Sequence, residues 1–315
     1  MTMDPYEGTN EKGRGCDYPV QGVDVSKWQQ DYDWQAAKED GNIAFGFARA
    51  TVGVSTDPTF ERNWYEMAKL GIPRGAYHFA KPTSKGTVQD AIEEADHFCT
   101  IVEAAEKKVH GGQALHHTQA MPPTLDFEES TKASQSKEDN RKWIDAWVKR
   151  VQDRLDRGVI MYTGDRVWER EVGGDPICPL WVPQYTNKEI TPGMEPWKRW
   201  VFWQWSGGGK IADMFRALTG RPFPGTVGGG SVDVNAYFGT LDQLHGLTEP
   251  CHDLFYTPGI GMSHRGERGK KLVAVAADRL LHTHTERTHE DLMLARASEL
   301  LEEAQAIIKR VRRKP

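Results

Sequence analysis

The sequence predicts an α/β fold, a closed (β/α)8-type barrel of eight strands with fewer than eight helices, followed by a C-terminal helical extension. Three observations predict it. Short apolar runs rich in β-branched and aromatic residues alternate with helical periodicities through about the first 240 of 315 residues. Such alternation favours parallel pairing through crossovers, and eight strands of this kind close a barrel. Acidic and polar side chains also collect at the carboxyl ends of the runs, where barrels of this type carry their chemistry.

The elements follow in order. Residues 1–19 are polar and Gly-rich and read as a flexible leader. Gly22 to Trp28 forms a first strand, and Asp33 to Gly41 a short helix with an acidic start and a glycine stop. Ile43 to Thr51 is the second strand. Asp57-Pro58 then supplies an N-cap and a helix-entering proline for a helix that runs to Leu70-Gly71. Ile72 to Phe79 is the third strand. Thr87 to Asp90 opens a long helix with Ala91, Ala95, Phe98, Val102 and Ala105 on one face. Thr124 to Glu128 is the fourth strand, and Ser136 to Asp139 starts a helix striped by Trp143, Ile144, Trp147, Val148, Val151 and Leu155. Val159 to Thr163, Leu180 to Tyr185, Val201 to Ser206 and Val232 to Tyr237 complete the eight, with helices short or missing among the last of them.

These boundaries assign residues 20–248 to the barrel, 249–290 to a linker-like segment and 291–315 to an amphipathic helix. In that helix Leu294, Ala297, Leu301, Ala304, Ile308 and Val311 repeat at spacings of 3 and 4, a heptad seam ahead of a basic end. The seam can pack on the barrel, on a second copy, or serve attachment to an anionic cell wall. Residues 251–315 hold 12 Lys and Arg against 9 Asp and Glu, whereas 1–250 hold 28 against 36.

Composition excludes several classes. A net charge of −5 is too mild for nucleic acid as the main partner. No apolar stretch approaches a membrane span, and the N-terminus lacks the basic and apolar regions of a secretory signal. Cys16, Cys99, Cys178 and Cys251 have no metal or redox spacing, and a reduced compartment is the simpler reading, although an even count leaves two disulfides open. His282, His284 and His289 lack an acidic or cysteine partner at ligand spacing, so no metal and no cofactor are expected.

The chemistry centres on Met-Pro-Pro-Thr-Leu-Asp-Phe-Glu-Glu at 121–129. In an extended strand Asp126 and Glu128 point to one face with Phe127 on the other. Adjacent like charges raise one pKa, and a protonated acid beside a carboxylate is what glycosidic cleavage requires. Asp24, His78, Gln184 and Gln204 stand at the ends of other strands, and Asp233 lies on the eighth. Tyr185 and Trp205 belong to a set of aromatic residues, with Trp28, Tyr77, Trp181, Trp203 and Tyr237, that suit either core packing or stacking on sugar rings.

Six segments occur in the order found in a known family: Gly-Val-Asp-Val-Ser-Lys-Trp-Gln at 22–29, Gly-Ala-Tyr-His-Phe at 75–79, Leu-Asp-Phe-Glu at 125–128, Leu-Trp-Val-Pro-Gln-Tyr at 180–185, Phe-Trp-Gln-Trp-Ser at 202–206 and Val-Asp-Val-Asn at 232–235. Together they resemble glycoside hydrolase family 25, the Chalaropsis-type lysozymes. The resemblance covers roughly residues 20–240 and implies an irregular barrel. It also implies cleavage of the β-1,4 bond between N-acetylmuramic acid and N-acetylglucosamine, with bacterial peptidoglycan as partner. Glu128 matches the proton donor, Asp126 the carboxylate beside it, Asp24 and Asp233 the acids of the first and last strands, and Tyr77 a cleft tyrosine. Two departures stand out: Phe127, where a smaller aliphatic residue is common, and a His/Gly/Gln-rich insertion at 107–121.

On this reading Glu128, in aromatic surroundings beside Asp126, is the acid, and a pKa raised to about 6 would suit it. Asp126 orients the substrate acetamido group as internal nucleophile, stabilises the cation or activates water, the first being favoured. Asp24, Tyr77, His78, Gln184, Tyr185, Gln204, Trp205 and Asp233 are candidate substrate contacts. The missing export signal and the added C-terminal segment favour a phage endolysin, made in the host bacterial cytoplasm and released to the wall. An inert saccharide-binding barrel and a chitinase-like glycosidase are the rival readings.

Overall fold

A computed structural model describes residues 15, 18–82, 88–110, 120–128, 135–185, 196–197, 199–207 and 231–248. Within them the strands are β1 (Gln21–Val25), β2 (Phe45–Val52), β3 (Ser55–Thr56), β4 (Arg74–Phe79), β5 (Thr124–Asp126), β6 (Ile160–Tyr162), β7 (Leu180–Pro183), β8 (Phe202–Gly207) and β9 (Asp233–Tyr237). Eight of them close into a barrel in the order β1, β2, β4, β5, β6, β7, β8, β9, with β3 a short hairpin arm on β2. The helices are α1 (Trp34–Gly41), α2 (Phe60–Lys69), α3 (Val88–His110), α4 (Lys137–Leu155), α5 (Asp165–Glu171) and α6 (Leu241–Gly246).

The expected eight-stranded barrel is therefore present, with one change in direction. From β1 to β8 the barrel neighbours pair in parallel, but β9 runs antiparallel to both β8 and β1. Asp233 begins that strand, and the reversal brings it to the mouth formed by the carboxyl ends of the others. A parallel strand would have put it at the opposite end of the barrel.

Local sequence explains most helix limits. Asp33 accepts from Ala36 N and Ser136 from Asp139 N, so both helices start on a side-chain cap. Asn42 and Asp156 adopt left-handed backbone, with φ of 52° and 54°, and end α1 and α4. The helix start expected at Asp57 shifts by two residues: Thr59 holds the N-cap position of α2 without a side-chain bond, Asp57 Oδ1 accepts from Thr59 N at 3.0 Å, and the buried Asp57 Oδ2 binds the guanidinium of Arg49. The insertion at 107–121 also resolves in part: 107–110 continue α3, Ala120 bridges to Arg74, and 111–119 lie outside the described residues.

Two apolar layers hold the barrel. The outer one lies between strands and helices and includes Trp34, Trp64, Trp143, Trp147 and Trp168, all almost fully buried. The inner one fills the barrel with Phe45, Phe47, Tyr77, Tyr162, Trp181, Phe202 and Tyr237. Room for these rings comes from glycines in the facing register. Gly22 pairs with Phe45 and Gly75 with Phe47, where a Cβ would lie 2.4 and 2.2 Å from the ring atoms. Phe47 stacks on Trp181 at 4.4 Å, which raises an aromatic floor halfway up the barrel. Below it, Val20, Met121, Leu244 and Leu247 close the amino end, and Arg157 ties that end together by donating to the carbonyls of Ala120 and Leu247.

Cys99 and Cys178 are buried free thiols, and burial pushes the Cys99 thiol up to about 12. Among the described residues no helix is long and apolar enough to cross a membrane, and no group of three or more His, Cys, Asp or Glu is placed to hold a metal ion. Cys16, Cys251, the three C-terminal histidines and the heptad segment lie outside the described residues.

Candidate active site

Above the aromatic floor the barrel opens into a polar cleft of about 180 Å³. Alternation along each strand decides what reaches it. β1 presents Asp24, β2 Arg49, β4 Tyr77 and Phe79, β5 Asp126, β6 Tyr162, β7 Trp181, β8 Gln204 and β9 Asp233. Glu128, two residues beyond Asp126, joins them from the loop after β5.

Asp126 and Glu128 do share one face, with Phe127 fully buried on the other and its N–H donating to Tyr162 O at 2.9 Å. Their environments differ in a way the sequence did not convey. Glu128 is exposed at the rim, whereas Asp126 is 6% exposed and its Oδ1 is buried without a hydrogen-bond partner. Burial, then the negative charges of Glu128 and Asp24, hold the Asp126 carboxyl well above the usual range, against the opposing effect of Arg49 and Lys81. The enclosed surroundings expected for Glu128 thus belong to Asp126.

Asp24 and Asp233 lie opposite each other in the β1–β9 ladder. Asp24 Oδ2 accepts from Gln204 Nε2 at 2.8 Å and from Asn235 Nδ2 at 2.7 Å. Burial raises its pKa, and those two bonds oppose the rise. Asp233 is pushed up to about 8, by burial first and then by Asp24 and Glu128. Burial is also the main cause of the raised phenol pKa of Tyr77, reinforced by Asp24 and offset by Arg49.

Aromatic rims flank these acids. Trp28 is 73% exposed on the 3₁₀ turn Lys27–Gln29, which Ser26 and Gln29 close as a capping box. Tyr185 is 63% exposed across the cleft, and its hydroxyl donates to Gln204 Oε1 at 2.9 Å. A sugar ring can stack on faces presented in this way.

Three candidates fall outside the cleft. His78 follows Tyr77 and so points outward, where its ring stacks on Trp147 and its nitrogens bond Thr51 Oγ1 and Glu94 Oε2. Trp205 is the extra residue at a bulge in β8. It packs in the outer layer and donates to Gln21 Oε1 at 3.0 Å. Gln184 is exposed and does not line the cleft, and its carbonyl accepts from Trp203 Nε1. Trp203 and Tyr237 belong to the core. Arg49, Tyr162 and Asn235 were missed. For Arg49 a signal existed, because Phe45, Phe47 and Arg49 alternate on one face.

Residues 23–214 match the family model for glycosyl hydrolases family 25. The chain belongs to that family. Among its relatives, lysozyme M1 of Streptomyces globisporus is 30% identical over 239 residues, covering 72% of this chain and 71% of that protein. The uncharacterized protein YegX of Escherichia coli O6:H1 is also 30% identical over 239 residues, 74% of either chain. The fold of the family 25 enzyme is similar to that of the bacterial lysozyme from Streptomyces coelicolor, with a TM-score of 0.54 and 28% identity over 73% of this chain and 96% of that one. The family 25 enzyme is a glycoside hydrolase.

Proposed function

We propose that this enzyme is an N-acetylmuramidase that cleaves the β-1,4 bond between N-acetylmuramic acid and N-acetylglucosamine in bacterial peptidoglycan. The observation that carries the reading is the division of labour between Asp126, buried with one oxygen unpartnered, and Glu128, exposed beside it. Glu128 stands where it can deliver a proton to the glycosidic oxygen as the C–O bond breaks. The free Asp126 oxygen is an acceptor for the N–H of a 2-acetamido group, whose carbonyl oxygen then attacks the anomeric carbon. Water subsequently displaces that oxygen and gives up its proton to Glu128. Asp24 and Asp233 bind sugar hydroxyls or tune the site, and Trp28 and Tyr185 stack on the rings.

The test is mass spectrometry of fragments released from purified peptidoglycan. New reducing muramic acid ends are expected. Reducing glucosamine ends would keep the carboxylate chemistry and refute the bond, and wall binding without fragments would point to an inert binding barrel.

The narrower reading is a phage endolysin, made in the host cytoplasm and released to the wall. Its support is the basic segment 251–315 appended to an acidic barrel, which suits anionic wall polymers. Bacteria expressing the full chain should then lyse only after their membrane is permeabilised. Lysis during expression alone would count against it.

A further inference from the structure

Gln204 was a candidate sugar contact, but its bonding argues for a different task. The side chain is 3% exposed at the centre of the mouth, beside the bulge in β8. Its Oε1 accepts from Tyr162 Oη at 2.8 Å and from Tyr185 Oη at 2.9 Å. Its Nε2 donates to Asp24 Oδ2 at 2.8 Å and reaches Asp233 Oδ2 at 3.5 Å. A primary amide has two donors and two acceptor sites; three are engaged at 2.8–2.9 Å and the fourth faces Asp233 at 3.5 Å. The buried amide is therefore committed to protein partners rather than to a substrate hydroxyl.

We infer that Gln204 is a positioning residue, an amide clamp that fixes the Asp24 carboxyl group toward Asp233 and holds the exposed Tyr185 ring over the cleft. It rests on the muramidase reading only for its effect on turnover. The four partners come from β1, β6, the end of β7 and β9, so one side chain sets the spacing of both walls. Other groups acting electrostatically on Asp24 or its neighbours are Asp126, Glu128, Arg49 and the phenol of Tyr77. No side chain other than an amide satisfies two phenol donors at one end and two carboxylates at the other without changing charge. A protonated glutamate keeps the charge but has a single donor, so it serves only one of the two carboxyl groups; ionised, it adds a negative charge beside Asp24.

The test compares Gln204→Met and Gln204→Glu with the wild-type full chain. Gln204→Met removes the donor that favours ionised Asp24, so the acid limb of the pH–kcat/KM profile should move up by about one unit. The maximum should also fall by about tenfold or more. Gln204→Glu should keep activity at the acid end and lose it at lower pH than wild type. In parallel, carboxyl ¹³C NMR follows Asp24 directly, which should titrate at higher pH in Gln204→Met. A purely structural glutamine would lower activity without moving either profile or titration, and that result would overturn the clamp. If Gln204→Met does not fold, the profile of Gln204→Glu decides. A shifted Asp24 titration in a protein that leaves peptidoglycan intact would support the clamp and sink the muramidase reading. Cleavage by wild type with unmoved profiles would do the reverse.

Discussion

Burying carboxylates for use costs stability, and Asp233 makes that cost measurable. Its folded pKa is about 8 against an ordinary 3.8, so between those values the folded state holds a proton that the unfolded chain has released. The associated stability is fully present below the unfolded pKa and is lost as pH rises through the folded one. Asp233→Asn removes this dependence. The variant should match wild type in Tm near pH 3 and gain on it steadily towards pH 9, at about 2–4 °C per kcal/mol for a barrel of this size. A Tm difference independent of pH would mean that Asp233 is not held protonated. The residue scale is also where the sequence misled most simply. Tyr77 with His78, Gln204 with Trp205, and Tyr185 with Gln184 are adjacent pairs, and adjacent residues of an extended chain point to opposite faces. Both members of such a pair rarely serve one cleft, and in each the structure keeps the first-named.

At the scale of elements, the apolar runs located all eight barrel strands, because a strand buried on both faces reads as a continuous hydrophobic segment. The carboxyl ends of β1, β5, β6 and β7 were drawn one to three residues long, since polar residues that follow a strand look like part of it until the hydrogen bonds are known. Direction was the larger omission. Periodicity carries no sign, so nothing in Val232 to Tyr237 indicated that β9 reverses. Its first residue reached the right end of the barrel for a reason the alternation alone did not contain. The Asp57-Pro58 pair looked like a helix start, and Asp57 does bond Thr59 at the entry to α2, but its other oxygen is spent on Arg49 and Lys27 N. Contacts to those other elements leave no local signal. Tyr162 and Asn235 escaped notice for the same reason, being ordinary strand residues until Gln204 and Asp24 meet them in space.

In the whole molecule, packing and chemistry follow from one arrangement. Aromatic rings fill the barrel from below, stop at Trp181 and Tyr77, and leave a shallow polar mouth rather than a pore. That floor excludes water from one side of Asp126 while Glu128 stays open to the other. The asymmetry is the central claim, because in the proposed mechanism the exposed acid delivers the proton and the buried one binds the acetamido group. Its most direct test is the turnover of purified peptidoglycan by Glu128→Gln, with folding checked by Tm. A loss of about a thousandfold with Tm within a few degrees of wild type is expected. A variant that still released muramic acid reducing ends at near wild-type rate would contradict the assignment of Glu128 as the acid.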